Sequence, residues 1–339
     1  MSYSLNTRIL IGKLEGTSGT METLTSTDFD VRIRNPEFSP NIELDDEASK
    51  YANGNHSEDE VITGAQSAQV TFSVRMGWGG TNTTEPDYWK FLNACGLKTI
   101  TYGSAGIALQ PLREYDCKTI TLHIYDIATC GASPAAVCYQ IAGAVGTATI
   151  GCDGIGKPWV ANMTFTGKLV DIVDVANASI PTLLGPDTTH PEKFLSTTAT
   201  ILGKTEKISK FQLDLGNEVS PLIDQAQSTG YDSYQITKRS PRFSCDPIMQ
   251  SVATEDILGN MTSGLTGAIT TGAISLASNH FTLVAPKAQQ IQMNLANREG
   301  IVNWDANYKL LGNGYTGAYA DAGITGGEVT FELRIGARA

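Results

Sequence analysis

The chain has 339 residues, of which 41% are hydrophobic and 17% are charged, and its formal net charge is −11. This hydrophobic share supports packed cores and excludes extensive disorder, and the length favours two domains over one. The acidic balance argues against a protein that grips nucleic acid by neutralising its phosphates, because that task needs a basic surface.

The most polarised stretch is ELDDEASKYANGNHSEDE, residues 43–60. One interpretation is a solvated loop. The other is a contact with another subunit, because a loop this long in a compact β protein usually has a function. The spacing does not match a calcium-binding loop. The contact candidates are the six acidic residues Asp45, Asp46, Glu47, Glu58, Asp59 and Glu60.

A single amphipathic helix is predicted at about 85–96, in EPDYWKFLNACG. Thr84 can cap its start, Pro86 suits a first turn, and Gly96 stands where a helix ends. The helix would pack against its own sheet through an apolar stripe of residues at i, i+3, i+4 and i+7, namely Tyr88, Phe91, Leu92 and Cys95.

Seven segments alternate apolar and polar residues as half-buried strands do. Ile291, Met293 and Leu295 are expected on a buried face, and His123 on a solvated one. The fold class is therefore mainly β, with antiparallel sheets in a sandwich or barrel. The segments are QVTFSVRM (69–76), CKTITLHIY (117–125), NMTFTGKL (162–169), SKFQLDLG (209–216), QIQMNLA (290–296), IVNWDANYKLL (301–311) and GEVTFELRIG (327–336).

A short internal sequence repeat suggests a duplication. The pattern R-x-P-x-F-S occurs at residues 34–39 and again at 239–244. Three prolines and a polar composition mark residues 176–196 as a linker. The predicted organisation is a first β domain with the helix at 1–175, the linker, and a second β domain at 197–339.

Motifs for chemistry are missing from the sequence. The four histidines and six cysteines follow no metal-ligand spacing, and GKT at 203–205 lacks the glycine that a phosphate loop needs. No nucleophile elbow or dinucleotide fingerprint occurs. We therefore expect no catalytic, cofactor-binding or metal site, and a protein that is not an enzyme.

No export signal or membrane span is expected either. The opening MSYSLNTRILIGKLEG has no long apolar core, and the longest uncharged run is rich in Gly, Thr, Ser and Asn. The prediction is a protein made in the cytoplasm, with reduced cysteines as the default. In an oxidising setting, Cys130 and Cys138, which flank GASPAAV, could instead close a small loop.

Three segments together resemble the tail tube proteins (major tail proteins) of long-tailed bacteriophages. KFLNACGL resembles the family's short helix ending in an Ala-Cys-Gly turn, through Phe91, Leu92, Ala94, Cys95 and Gly96. TATIGCDGIGKPWVANMTFTGKLVD is similar to its closing hairpin, with a Gly-x-x-Gly turn, Gly-Lys-Pro and a final Phe-Thr-Gly. FQLDLGNEVSP followed by RSPRFSCDPI is similar to its later strands.

The resemblance implies β-sandwich subunits with a flanking helix, assembled into rings that stack as a hollow tube in the virion tail. Because this chain is about twice the usual length, it would carry two tandem tail-tube-type domains. A trimeric ring with pseudo-sixfold symmetry is favoured, and a hexamer comes second. The acidic loop at 43–60 would contact the next ring or subunit.

The implied partners are further copies of the chain and the tape-measure, tail terminator and baseplate proteins. Host cytoplasm is the implied place of assembly. During ejection into the host, DNA would slide through the lumen without specific binding, and the net negative charge suits such a lumen.

Two alternatives remain. One is another assembly protein, such as a capsid decoration protein or a secretion-system tube. The other is a carbohydrate-binding or hydrolytic β-sandwich, which needs exposed aromatic platforms; Trp78 and Trp159 are the candidates.

Overall fold

The computed structural model describes residues 8–25, 28, 33–45, 61–77, 85–102, 106–111, 118–128, 136–176, 193–195, 197–273, 281–314 and 328–336. Within these residues the protein is mainly β, and every strand pair is antiparallel, so the predicted fold class is confirmed at that level.

The described elements, in chain order, are β1 (Ile9–Leu14), β2 (Ile33–Asp45), β3 (Ile62–Arg75), α1 (Trp89–Ala94), β4 (Leu97–Tyr102), β5 (Gly106–Pro111), β6 (Ile120–Ile127), β7 (Ala136–Cys152), β8 (Val160–Val175), β9 (Thr197–Ile201), β10 (Lys204–Glu206), β11 (Phe211–Asp214), β12 (Asn217–Ile223), β13 (Tyr231–Arg239), β14 (Arg242–Cys245), α2 (Ile257–Thr262), β15 (Thr266–Ala273), β16 (Phe281–Arg298), β17 (Ile301–Leu310), β18 (Asn313–Gly314), β19 (Glu328–Val329) and β20 (Glu332–Gly336).

Sixteen of these strands form one large sheet. Its main path runs β10-β9-β15-β16-β17-β14-β11-β7-β8-β3-β2, with β1 and β6 branching from β7, and β20, β5 and β4 branching from β16. Branching is feasible because β7 and β16, at 17 and 18 residues, are long enough to pair with different strands along their two halves.

The sheet crosses the predicted domain boundary. β11 pairs with β7, and β20 pairs with both β5 and β16. One hydrophobic core contains residues from both halves. Within the predicted linker, Phe194 is buried in that core with its ring 5.1 Å from that of Phe211, while residues 177–192 lie outside the described part. The halves thus share one sheet and one core, and the division into two domains stays a prediction.

The helix is shorter than the sequence predicts. α1 begins at Trp89 rather than near residue 85. Tyr88 occupies the N-cap position, and no side chain forms a capping hydrogen bond there. Thr84, the predicted cap, lies outside the described residues. Gly96 ends the helical segment as predicted, with a φ of +77° that glycine adopts readily.

The apolar stripe of the helix is buried as predicted. The Phe91 ring lies 5.0 Å from that of Phe72 in β3 and 6.2 Å from that of Phe165 in β8. The helix therefore covers the core face of the sheet where these two strands meet. The buried stripe residues are Tyr88, Phe91, Leu92 and Cys95.

The prediction that His123 is solvated is wrong. A second apolar cluster, which includes Ile11, Tyr125 and Cys138, covers the face of β6 that the alternation assigns to solvent. Both faces of β6 are therefore buried, and burial lowers the pKa of His123 to about 4. The imidazole is neutral at physiological pH, so this histidine belongs to the interior.

Trp159 is also buried, with its ring 4.7 Å from that of Phe211. It is therefore not a surface platform for sugars. Trp78, the other candidate platform, lies outside the described residues.

Candidate self-assembly surface

The order of hairpins recurs along the sheet. In the first group, the β2–β3 hairpin lies beside the β7–β8 hairpin through the β3–β8 pairing. In the second group, the hairpin built from β11, β12, β13 and β14 lies beside the β16–β17 hairpin through the β14–β17 pairing. Each group thus supplies four neighbouring strand positions, and the groups meet at β7 and β11.

The two R-x-P-x-F-S motifs do not mark equivalent positions in these groups. The first copy lies in β2, the first strand of its hairpin, whereas the second spans the end of β13 and the start of β14, on the returning strand. Regular pairing is interrupted at both prolines, Pro36 and Pro241, neither of which can donate an N–H to the ladder. The motif therefore marks a break in strand pairing.

The joint between the groups is a short antiparallel pairing. It runs from Phe211 opposite Cys152 to Asp214 opposite Thr149, and the Leu215 amide extends it by donating to the Ala148 carbonyl. Further along, β6 occupies the same edge of β7 as far as Ala144. The β12–β13 hairpin therefore leaves the plane of the sheet.

That hairpin packs on the face of the first group. Tyr231 and Tyr234 cover the fully buried Val145 of β7. The Tyr231 hydroxyl donates to the Glu43 carboxylate of β2 at 2.9 Å, and the Arg239 guanidinium donates to the Gly96 carbonyl at 2.7 Å. The second group thus contacts the first in two ways, through the β7–β11 strand pairing and through the β12–β13 hairpin that packs on its face.

Several strand edges are unpaired within the described residues, including those of β1, β4 and β10, and two of the unpaired edges flank the two groups. Within the described residues, β2 pairs only with β3. β15 covers one edge of β16 only as far as Gln289, so 290–298 have no strand neighbour on that edge within the same described set. An open edge presents backbone donors and acceptors and is a template for pairing with another chain.

Exposed apolar side chains lie close to both open edges. The prediction that Ile291, Met293 and Leu295 form a buried face is wrong, since Ile291 and Leu295 are exposed and Met293 is half-buried. The β16–β17 ladder continues to Arg298, whereas the core contributed by β16 ends at Ala288. The outer part of this hairpin therefore extends beyond the hydrophobic core, and its described contacts include those with residues 246–249, which bridge Asn303 and pair with Arg298.

The tip of the β2–β3 hairpin has the same character, with Ile42, Leu44, Val61 and Ile62 all exposed. Clustered exposed apolar residues of this kind commonly mark interaction sites.

The sheet face opposite the core is polar, and a groove of about 460 Å³ crosses it. One cross-strand row is charged, with Arg242 opposite both Asp214 and Lys309. The face is therefore mixed in charge, although the whole chain is acidic. Its other members are mostly hydroxyl and amide side chains, including Thr71, Ser73, Thr147, Thr149, Asn162, Thr164, Gln212, Ser244, Gln292, Asn294 and Asn307.

The predicted acidic contact residues fall almost entirely outside the described part of the chain. Asp45 is the last residue of β2, and the backbone alone places it at the hairpin tip. Asp46, Glu47, Glu58, Asp59 and Glu60 lie outside the described residues. Their role in contacts between subunits stays a prediction.

Buried carboxyl groups occur inside the second group. Asp246 accepts hydrogen bonds from the Ser209 and Lys210 amides at 2.7 and 2.9 Å and pairs with Arg298 at 2.8 Å. Burial, followed by a hydrogen bond to Glu206, raises the pKa of Glu255 to about 8. Among the described residues, no three His, Cys, Asp or Glu side chains are grouped to hold a metal ion.

The described cysteines 95, 138, 152 and 245 are buried free thiols, and burial raises the pKa of each. Such thiols are poorly reactive because the thiolate is disfavoured.

No protein-family model matches the chain, and no curated protein gives a significant sequence match. Of the two described helices, each six residues long, neither has the length or apolar character to cross a membrane. The functional argument therefore depends on the sheet and its open edges.

Proposed function

We propose that the protein is a structural subunit in which the β2 edge of one copy pairs with the open edge of β16 in the next. The rings closed in this way would stack into the tail tube of a long-tailed bacteriophage. The observation that carries the proposal is the joint between β7 and β11, which already connects two four-strand groups within one chain.

β7 and β16 correspond in several respects. Each is the first strand of the second hairpin in its group, and each has a bulge within its ladder. On one edge, each is covered along its N-terminal half, by β6 or by β15. β11 fills the remaining edge of β7. The strand that corresponds to β11 in the first group is β2, so β2 of another copy suits the remaining edge of β16.

The proposed ring size follows from the number of strands between β2 and the open edge of β16. The path from β2 to β16 contains eight strands, so three chains would make a 24-stranded barrel with pseudo-sixfold symmetry. At a strand spacing of about 4.8 Å and a tilt of about 40°, such a barrel is roughly 50 Å across at the backbone. A hexameric ring would be about twice as wide, and its lumen would be far larger for the same wall.

The polar face would line the lumen, since the opposite face carries the core and α1. Its hydroxyl and amide groups hydrogen-bond water, and its few charges are of both signs. Tight nucleic-acid binding requires many cations that release counterions, so this wall would let DNA pass without holding it. In this proposal a mixed polar wall replaces the acidic wall expected from the net charge.

Rings of this kind stack head to tail, and such a contact is heterologous and open-ended, as a tube requires. Growth would be limited by the tape-measure, terminator and baseplate proteins of the virion tail. A secretion-system tube could use the same edge pairing. The doubled chain and the Ala-Cys-Gly helix favour the phage tail.

The test is negative-stain electron microscopy of the purified protein with mass measurement of the same sample. We expect rings or tubes with three chains per ring, about 109 kDa from three chains of 36.2 kDa. Six chains per ring would keep the tube and contradict the duplicated subunit. A monomer at every concentration that also binds glycans would contradict the tube.

A further inference from the structure

We propose that the tip of the β2–β3 hairpin lies across the polar face of the next copy and packs against an apolar patch formed by Met261, Leu265 and Ile291. This inference rests on the proposed pairing of β2 with β16. It adds a second contact, in which a hairpin of one subunit is laid over its neighbour within the ring.

The template is the hairpin of β12 and β13. After pairing with β7, the second group's first hairpin leaves the sheet plane because β6 blocks the edge, and it covers Val145. A β2 strand paired with β16 would meet the same obstacle, because β15 occupies the β16 edge from Gln289 towards the N-terminus. Its tip would therefore also turn onto the polar face.

The two hairpins agree in length. The strands of the first span 33–45 and 62–75, and those of the second span 211–223 and 231–245, including their breaks. Ile62 begins its returning strand as Tyr231 begins the other. Tyr231 is 7% exposed and Ile62 is 68% exposed, so corresponding positions differ in whether a neighbouring face covers them.

The receiving patch lies where β15 ends on β16. Leu265 directly precedes Thr266, which pairs with Gln289, so Leu265 is beside the first residues of the open edge. Ile291 lies at the bulge of β16, much as Val145 follows the bulge of β7. Met261, Leu265 and Ile291 are all exposed. The patch thus offers exposed apolar area beside the open edge of β16.

Charge also matches between tip and receiving face. The hairpin tip carries Glu43 and Asp45, and the loop that follows it in sequence holds five more carboxylates. Across β14 and β17, the exposed Arg242 and Lys309 are neighbours on the polar face, and Lys309 is opposite Gln289 beside the patch. Opposite charges placed this way favour one docking orientation and speed association.

The experiment mixes two chains that each carry one added surface cysteine, Leu44→Cys and Leu265→Cys, in a Cys117→Ser, Cys130→Ser background that keeps the four buried cysteines, with a short bismaleimide. A crosslinked dimer between the two chains is expected, and it should weaken severalfold at high salt. The control is Leu44→Cys with Ile155→Cys, which should not crosslink although Ile155, in the β7–β8 turn, is more exposed than Leu265.

A parallel mixture of Ser39→Cys and Gln292→Cys chains reports the strand joint alone. If the joint crosslinks and the tip does not, the tip proposal is overturned while the proposed function stands. If neither pair crosslinks, both are overturned. Equal crosslinking of Leu44→Cys to Leu265→Cys and to Ile155→Cys would also overturn it, since contact would then be random.

Discussion

The β7–β11 joint and the unpaired β2 and β16 edges differ in whether a neighbouring strand is present. At the β7–β11 joint the strand edge is paired, and Tyr231 and Tyr234 are 7% and 5% exposed. At the β2 and β16 edges the ladder stops, and Leu44 is 64% exposed. The exposed apolar residues near the open edges are therefore the basis of the proposed interface with a second copy.

Disrupting the packing of the β12–β13 hairpin beside the β7–β11 joint should have the largest effect on stability. Tyr234→Ala removes a buried ring from the cluster around Val145, so we expect the free energy of unfolding to fall by about 3 kcal/mol. Ile62→Ala, on the open hairpin tip, should change it by less than about 0.5 kcal/mol. Denaturant unfolding of the unassembled protein measures both. Equal losses would show that the two hairpins are equally supported within one chain.

Blocking an open edge should weaken assembly with little change in stability. Leu295→Lys places a charge on the exposed part of β16, where natural edge strands carry charges to prevent pairing. We expect ring formation to need at least about tenfold more protein, which corresponds to about 1.4 kcal/mol. The matched control is Ile155→Lys, because Ile155 and Leu295 are 64% and 65% exposed. Light scattering against concentration measures the effect, and equal behaviour of both variants would contradict it.

The pH dependence of stability should depend on a carboxyl group in the second group, that of Glu255. The folded pKa of Glu255, about 8, lies above its ordinary value of 4.5. The folded state therefore binds this proton more tightly, and its stabilising contribution is lost as pH rises from about 4.5 to 8. Glu255→Gln should flatten that decline in the unfolding midpoint. A variant with the same slope as the unmodified protein would show that this carboxyl group does not titrate on unfolding.

Local alternation predicts much of the fold. Val70, Phe72, Phe211 and Leu213 are buried as their period of two requires, and the helix stripe packs as expected. Alternation identifies a face but not what covers that face. The covering cluster over His123 comes from distant segments, and the cover for Ile291 and Leu295 is missing from the described chain.

The candidate site was less accessible from sequence. Open edges are defined by which strands fail to pair, and pairing between distant strands such as β7 and β11 leaves no local signal. The repeated motif suggests a duplication in the sequence. In the structure, its two copies lie at proline-containing breaks in strand pairing, on strands that are not equivalent. Ile291 and Leu295 are apolar residues in a strand pattern, which predicts a core face, but they are exposed. Apolar alternation that the chain's own core does not cover is the sequence feature that could indicate an interface.

The most direct test of the central claim is crosslinking across the proposed β2–β16 joint. If pairing begins at the strand ends, as it does for Phe211 and Cys152, and continues without a register shift, Ser39 faces Gln292. Chains carrying Ser39→Cys should therefore form disulfide-linked dimers with chains carrying Gln292→Cys. They should not do so with chains carrying Gln212→Cys, which lies on the same face within the middle of the sheet. Linkage to Gln212→Cys, or to neither, would contradict the account.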